Sequence, residues 1–291
     1  GERGLAAPVK TKRSLAEAKG KVLDNLILKC VDFIDLERIL TRVPAENFSD
    51  KTLQLVWETA VTLDPEDDEE GELAGSSPGR AIFALSGLTT DKMAELSPAA
   101  TGKALHSIAK MHATGRVKAE AALIEELVDR TLATIDEFKP QNIAQVVWAL
   151  AVVGITPKPA LVTAVTARTA ASLDDFTPGD LSTLLASFAS SEVSVSPEFV
   201  EDIKATVLAK AGEFKAQDIA NFMWALGELQ VSVGKELQDA IEKQAVEIAT
   251  DFRATAVGLL VEANTTLGVV PGNKFVRAMY GRGPTPKVAA K

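Results

Sequence analysis

The chain has 291 residues, 46% of them hydrophobic and 24% charged, which is the balance of a globular chain and excludes general disorder. A formal charge of −9 excludes nucleic-acid binding by blanket electrostatics, because each neutralised phosphate calls for a Lys or Arg. Ala, Leu and Val dominate and aromatics are 5%, a composition that predicts an all-α protein.

Residues 1–21 form a basic N-terminal extension. From Gly1 to Val22 there are six basic residues, among them Lys10, Lys12, Arg13, Lys19 and Lys21, against Glu2 and Glu17. Gly1 in place of Met is compatible with a processing site or with a segment of a longer chain. Residues 22–63 follow as a capping segment and a degenerate repeat. The amphipathic stretch Val22–Leu40 predicts an N-terminal capping helix or half repeat, with Cys30 in an apolar run where a core thiol outweighs a reactive one. One cysteine forms no internal disulfide and points to a reducing compartment. Asn47-Phe48-Ser49-Asp50, followed by Leu53, Val56 and Trp57, opens the degenerate repeat. Residues 64–79 read as an acidic flexible insertion, with seven acids between Asp64 and Glu72.

Residues 80–276 carry a repeat. Phe138-Lys139-Pro140-Gln141-Asn142-Ile143-Ala144 returns from Phe176, from Phe214 and from Phe252, each anchor 38 residues after the last, and Leu96 is a degenerate anchor upstream. A fixed period in this range means stacked supersecondary units. Trp148-Ala149-Leu150-Ala151 aligns with Ala186-Ser187-Phe188-Ala189 and Trp224-Ala225-Leu226-Gly227. A second landmark lies 21 residues after each anchor, as in Pro159-Ala160-Leu161 and Pro197-Glu198-Phe199, so each unit holds two helices. Pro140 and Pro178 start first helices, Ile143, Val146, Val147 and Leu150 bury a stripe, and Gly154 with Pro157 ends the helix. Units begin near 96, 138, 176, 214 and 252. The last, with Glu262, Asn264, Thr265 and Thr266, reads as a solvated cap. Residues 277–291 form a basic tail containing Arg277, Arg282, Lys287 and Lys291 and no acid. The whole is expected to be a right-handed superhelical α-solenoid of helical-hairpin repeats with an N-terminal capping helix.

No apolar stretch of 18 or more residues occurs, so no transmembrane segment is expected. His106 and His112 are six apart, on nearly opposite sides of a helix, and do not make the i, i+4 zinc pair. Phosphate-loop, nucleophile-elbow and cysteine-pair motifs are missing, and Asp67-Asp68 and Asp174-Asp175 read as solvated charges. A non-enzyme without cofactors, metal or small-molecule substrate is expected. Trp57, Trp148 and Trp224 read as inter-repeat core in preference to base-stacking platforms.

The pattern Phe-x-Pro-Gln-x-Ile-Ala-x-x-x-Trp-Ala-Leu at a 38-residue period resembles the octotricopeptide repeat family. The likeness is densest at Phe138–Leu150 and Phe214–Leu226 and extends more thinly from Phe48 to Val276. Pro197-Glu198-Phe199 is similar to that family's Pro-Pro-Glu-Trp signature. The resemblance implies a helical solenoid that binds organellar RNA, and a place in the mitochondrion, with the chloroplast as alternative. In such readers short polar residues near the start of the first helix meet base edges. Here these are Gln141, Asn142 and Gln145, then Asp180 and Thr183, then Gln217, Asp218 and Asn221; the same residue types also favour exposed helix starts for purely structural reasons. Lys139, Lys215 and Arg253 add charge beside the anchors, and the basic ends (Lys10, Lys12, Arg13, Arg277, Arg282, Lys287) offer phosphate contacts. The expected role is a non-catalytic scaffold in an organellar ribonucleoprotein such as a mitochondrial ribosome, touching rRNA and neighbouring proteins. The alternative is a protein–protein adaptor or accessory subunit of a respiratory or ATP synthase complex, which the acidity favours.

Overall fold

The computed structural model describes residues 18–63 and 76–281, and every regular element among them is helical. The helices come in pairs: α1 (Lys21–Ile27) and α2 (Phe33–Arg42); α3 (Asp50–Thr62) and α4 (Ser77–Asp91); α5 (Pro98–Ala113) and α6 (Ala121–Ala133); α7 (Pro140–Val152) and α8 (Pro159–Ala170); α9 (Pro178–Ser190) and α10 (Pro197–Ala209); α11 (Ala216–Glu228) and α12 (Lys235–Glu247); α13 (Ala254–Thr266) and α14 (Asn273–Tyr280). The chain divides into two compact units, one ending at Thr134 and the other beginning at Ile135. Within the first, α1, α3 and α5 pack in succession, as do α2, α4 and α6. Within the second, α7, α9, α11 and α13 form one layer and α8, α10, α12 and α14 the other. This is the hairpin stacking of an α-solenoid.

The local chemistry of one repeat explains the layer. A single 3-10 turn, such as Leu173–Asp175, ends immediately before the anchor. The anchor then points inward: Phe48, Leu96, Phe138, Phe176 and Phe214 are all buried. One extended residue follows and the first helix begins, with Pro at its first position in α5, α7 and α9, where a missing N–H costs nothing. Six and eleven residues after the anchor the side chains are small: Ala144 and Ala149, Ser182 and Ser187, Ala220 and Ala225. All six are buried, which lets neighbouring first helices approach closely. The buried hydroxyls remain satisfied, Ser182 donating to the Pro178 carbonyl at 2.7 Å and Ser187 to Thr183 at 2.6 Å. Large side chains such as Leu184, Phe188, Phe222 and Leu226 are fully buried beside them.

From α5 onward the first helices end in one left-handed residue. Gly154 has φ 73°, and the N–H of Ile155 reaches back to the Leu150 carbonyl at 2.9 Å, closing the helix end. The corresponding residues of the next two repeats are Glu192 (φ 54°) and Gln230 (φ 56°), which adopt the same conformation with a Cβ to accommodate.

A second device ties four of the hairpins shut. The carbonyl of the anchor lies between the 3-10 turn and the first helix and has no ladder partner of its own. In the first unit Arg130 donates to the Leu96 carbonyl through Nε and Nη2 at 2.9 and 2.6 Å. In the second, Arg168 reaches Phe138 at 3.2 Å, Lys210 reaches Phe176 at 2.8 Å and Gln244 reaches Phe214 at 3.0 Å. In every case the donor is near the C-terminus of the second helix of the same repeat.

The N-terminal segment Val22–Leu40, expected as a capping helix or half repeat, comprises two helices. The chain breaks after Ile27, and Asp32 restarts it by accepting the Asp35 N–H at 2.7 Å, so α2 begins at Phe33. Helix α4 begins at Ser77, its N-cap Ser76 accepting the Gly79 N–H, so its first turn occupies the end of the 64–79 stretch. Residues 64–75 lie outside the described residues. In the last layer Glu262, Thr265 and Thr266 are exposed while Asn264 is buried. No helix among the described residues is long and apolar enough to cross a membrane.

Candidate nucleic-acid interface

Residues at i, i+4 and i+7 share one line along a helix. Along the first helices, seven and ten residues after the anchor, that line gives Gln145 and Trp148 on α7, Thr183 and Ala186 on α9, and Asn221 and Trp224 on α11. All six are half-buried, between the fully buried columns on either side of them. In the second unit they form a strip across the stacked helices, polar in one column and planar or small in the other, without a charged group. Gln141 and Gln217 continue the line towards the helix starts and are exposed. Gln217 donates to Asn221 Oδ1 at 2.8 Å, which orients that amide pair. In the first unit the same two positions on α5 are Lys103 and His106, with Lys110 one turn further on. Lys103 pairs with Glu58 of α3 at 2.8 Å. Burial, with Lys110 and Lys103 adding to it, lowers the His106 pKa to about 4, so the imidazole is neutral near pH 7.

The two acids among the expected base readers are committed to helix starts. Asp180 accepts the Thr177 hydroxyl at 2.7 Å and the Thr177 N–H at 3.3 Å, and returns through Thr177 Oγ1 to its own N–H, a reciprocal cap. Asp218 accepts the Lys215 N–H at 3.2 Å and lies against Gly179, where an added Cβ would stand 3.1 Å from the carboxylate. Burial raises the Asp218 pKa, and Asp180 adds to it, against the lowering by Lys215. Asn142 occupies the matching position of α7 and is half-buried. Gln145, Thr183 and Asn221 therefore share the strip, whereas Asp180 and Asp218 secure the backbone beside it.

Lys139, Lys215 and Arg253 are exposed N-cap residues of α7, α11 and α13, along one edge of the strip. Each is two residues from an exposed acid, Glu137, Glu213 or Asp251, so this edge carries cations without being strongly positive. Of the basic ends, Lys19 and Lys21 are exposed beside α1 and Arg277 is exposed on α14. Lys10, Lys12, Arg13, Arg282, Lys287 and Lys291 lie outside the described residues.

The three tryptophans separate by a single residue of spacing. Trp57 lies nine residues after its anchor, is 1% exposed and donates to Thr89 Oγ1 at 3.2 Å, as a core residue does. Trp148 and Trp224 lie ten after theirs, which rotates them by about 100° about the helix axis onto the half-buried strip. Cys30 is a poor nucleophile, since burial, with Asp35 and Asp32 nearby, pushes its thiol up to about 12.

No curated protein matches the chain. A sequence model of the family described as RNA-editing substrate-binding complex 6 protein matches residues 91–270, more than half of its length and including every layer of the strip.

Proposed function

Because the chain belongs to the RNA-editing substrate-binding complex 6 family, we propose that it is a non-catalytic, RNA-associated helical-repeat scaffold of an RNA-editing complex. The observation that carries this reading is the coincidence of the matched stretch with the repeats that present amides, hydroxyls and indoles in register. The octotricopeptide likeness of those repeats supports the same role and a mitochondrial location. It also suggests a second form of the reading, a ribosomal scaffold holding rRNA; the family description, which names substrate binding in RNA editing, favours the first. Neighbouring proteins of the particle are the expected partners of the acidic faces, and RNA of the strip and of the basic ends.

Crosslinking in the native particle, followed by sequencing of the attached RNA, tests this directly. Editing substrates are the expected catch. Recovery of rRNA alone would move the chain to the ribosome. A particle whose size does not change with RNase and that yields no crosslinked RNA would instead make the chain a protein adaptor.

A further inference from the structure

We infer that Trp148 and Trp224 are base-stacking platforms for single-stranded RNA, with Gln145, Thr183 and Asn221 as the hydrogen-bonding groups beside them. This rests on the RNA-associated role proposed above and deepens it by naming which groups hold the bases.

The first argument is register. An indole placed only to fill the core belongs where Trp57 is, nine residues after the anchor and 1% exposed. At ten residues the ring comes onto a surface that Ala186 and Glu262 also occupy in their repeats, so the position does not require an aromatic for packing. The second is spacing. First helices packed through small residues lie about 8–10 Å apart. Trp148 and Trp224, two layers apart, are then separated by roughly 16–20 Å. The residue in the layer between them is the small Ala186. A strand crossing the helices with bases at about 3.4 Å intervals places several nucleotides over this distance.

The third argument is charge. With −9 overall and acids beside each edge cation, phosphate contacts alone bind weakly here. The strip itself carries no charged side chain between Gln145 and Trp224, and the next acid on its line is Glu262 on α13. Planar rings give affinity that does not depend on counterion release, and every base has a face to stack. Lys139, Lys215 and Arg253 supply a phosphate-compatible edge on the same helices. Three such contacts give a shallow salt dependence, with a slope near about −2 for a single strand.

The test uses the full chain and a single-stranded RNA of about 12 nucleotides. On binding, tryptophan fluorescence is quenched. Trp224→Leu and Trp148→Leu each weaken affinity roughly ten-fold, and Trp→Phe at either position retains most of it. An oligonucleotide with abasic sites binds the wild-type chain as weakly as intact RNA binds the Leu variants. Leu variants that bind as tightly as wild type, an abasic strand that binds equally well, or binding without quenching overturns the inference. So does a chain that binds no RNA oligonucleotide. The particle's RNase sensitivity is measured separately, so RNA association survives such a result. If a Leu variant does not fold, the Phe variants and the abasic strand decide. Loss of a protein partner by the Leu variants, with RNA affinity unchanged, makes the strip a protein-docking surface.

Discussion

The two compact units use one packing scheme with different regularity. From Ile135 onward the anchors Phe138, Phe176, Phe214 and Phe252 keep a strict 38-residue interval. Up to Thr134 the anchors Phe48 and Leu96 are separated by a much longer stretch, yet the same 3-10 turn, buried anchor and first-helix stacking appear. What the fold requires is thus the chemistry at a few offsets from each anchor, not constant length between anchors. Extra residues placed between the two helices of a hairpin leave those offsets intact, and loop length is thermodynamically cheap. The surfaces differ as well: the strip positions of the first unit carry the Lys103–Glu58 ion pair with Lys110 beyond it, and those of the second are uncharged from α7 to α11, where the two indoles lie, with Glu262 on α13.

The largest effect expected on this comparison comes from the anchors. Phe48→Ala and Phe176→Ala should each cost about 3–5 kcal/mol, because both rings are buried and leave a cavity. Denaturant unfolding followed through Trp57 reports on the first unit, and through Trp148 and Trp224 on the second. Equal costs support a shared scheme, and a negligible cost at Phe48 would show that the irregular unit does not use its anchor.

The carbonyl clamps come next. Arg130→Leu in the first unit and Gln244→Leu in the second should each cost about 1–3 kcal/mol by leaving an anchor carbonyl unsatisfied. No change in the denaturation midpoint for either would remove the clamp from the common scheme. A smaller change of opposite sign is expected at the left-handed helix ends: Gln230→Gly should stabilise the second unit by about 1 kcal/mol. A lower melting temperature would contradict the strain argument.

The last effect separates the units by pH. His106 belongs to the first unit and has no counterpart in the second. The unfolded chain takes up its proton near the ordinary 6.5, and the folded chain resists until about 4. In that window the unfolded state binds more protons, so stability is lost as pH falls from about 6.5 towards 4. His106→Gln should flatten this part of the melting-temperature profile, and an unchanged profile would mean that other groups govern it.

The sequence makes the repeat legible because its strongest signals are local: proline at helix starts, a 3.6-residue stripe and an aromatic at a fixed interval. It hides five features for physical reasons. Arg130 and Lys210 act 34 residues after their anchors, whereas Arg168 and Gln244 act 30 after theirs, one helical turn earlier. Arginine reaches the carbonyl from either turn and Lys or Gln takes its place, so no single column or residue type reveals the clamp. Trp57 differs from Trp148 and Trp224 by one residue of offset, and the eye groups them by type although the helix separates them by face. Gly154 announces a helix end, but Glu192 and Gln230 perform the same turn without a glycine to mark it. The break that makes α1 and α2 a hairpin depends on Asp32 as a cap inside an otherwise amphipathic run. Among the candidate base readers, residue type alone does not tell Asp180 and Asp218, engaged at helix starts, from Gln145 and Asn221 on the strip.

The anchor clamp has a consequence for how such a chain grows. Donor and acceptor belong to the same hairpin, so a copied stretch of one repeat length brings its own latch and its own aromatic peg. Duplication then needs complementary fit only at the two small-residue seams it creates. Whole repeats are therefore added or lost as inheritable units, while the exposed strip of each new copy is left at liberty to diverge.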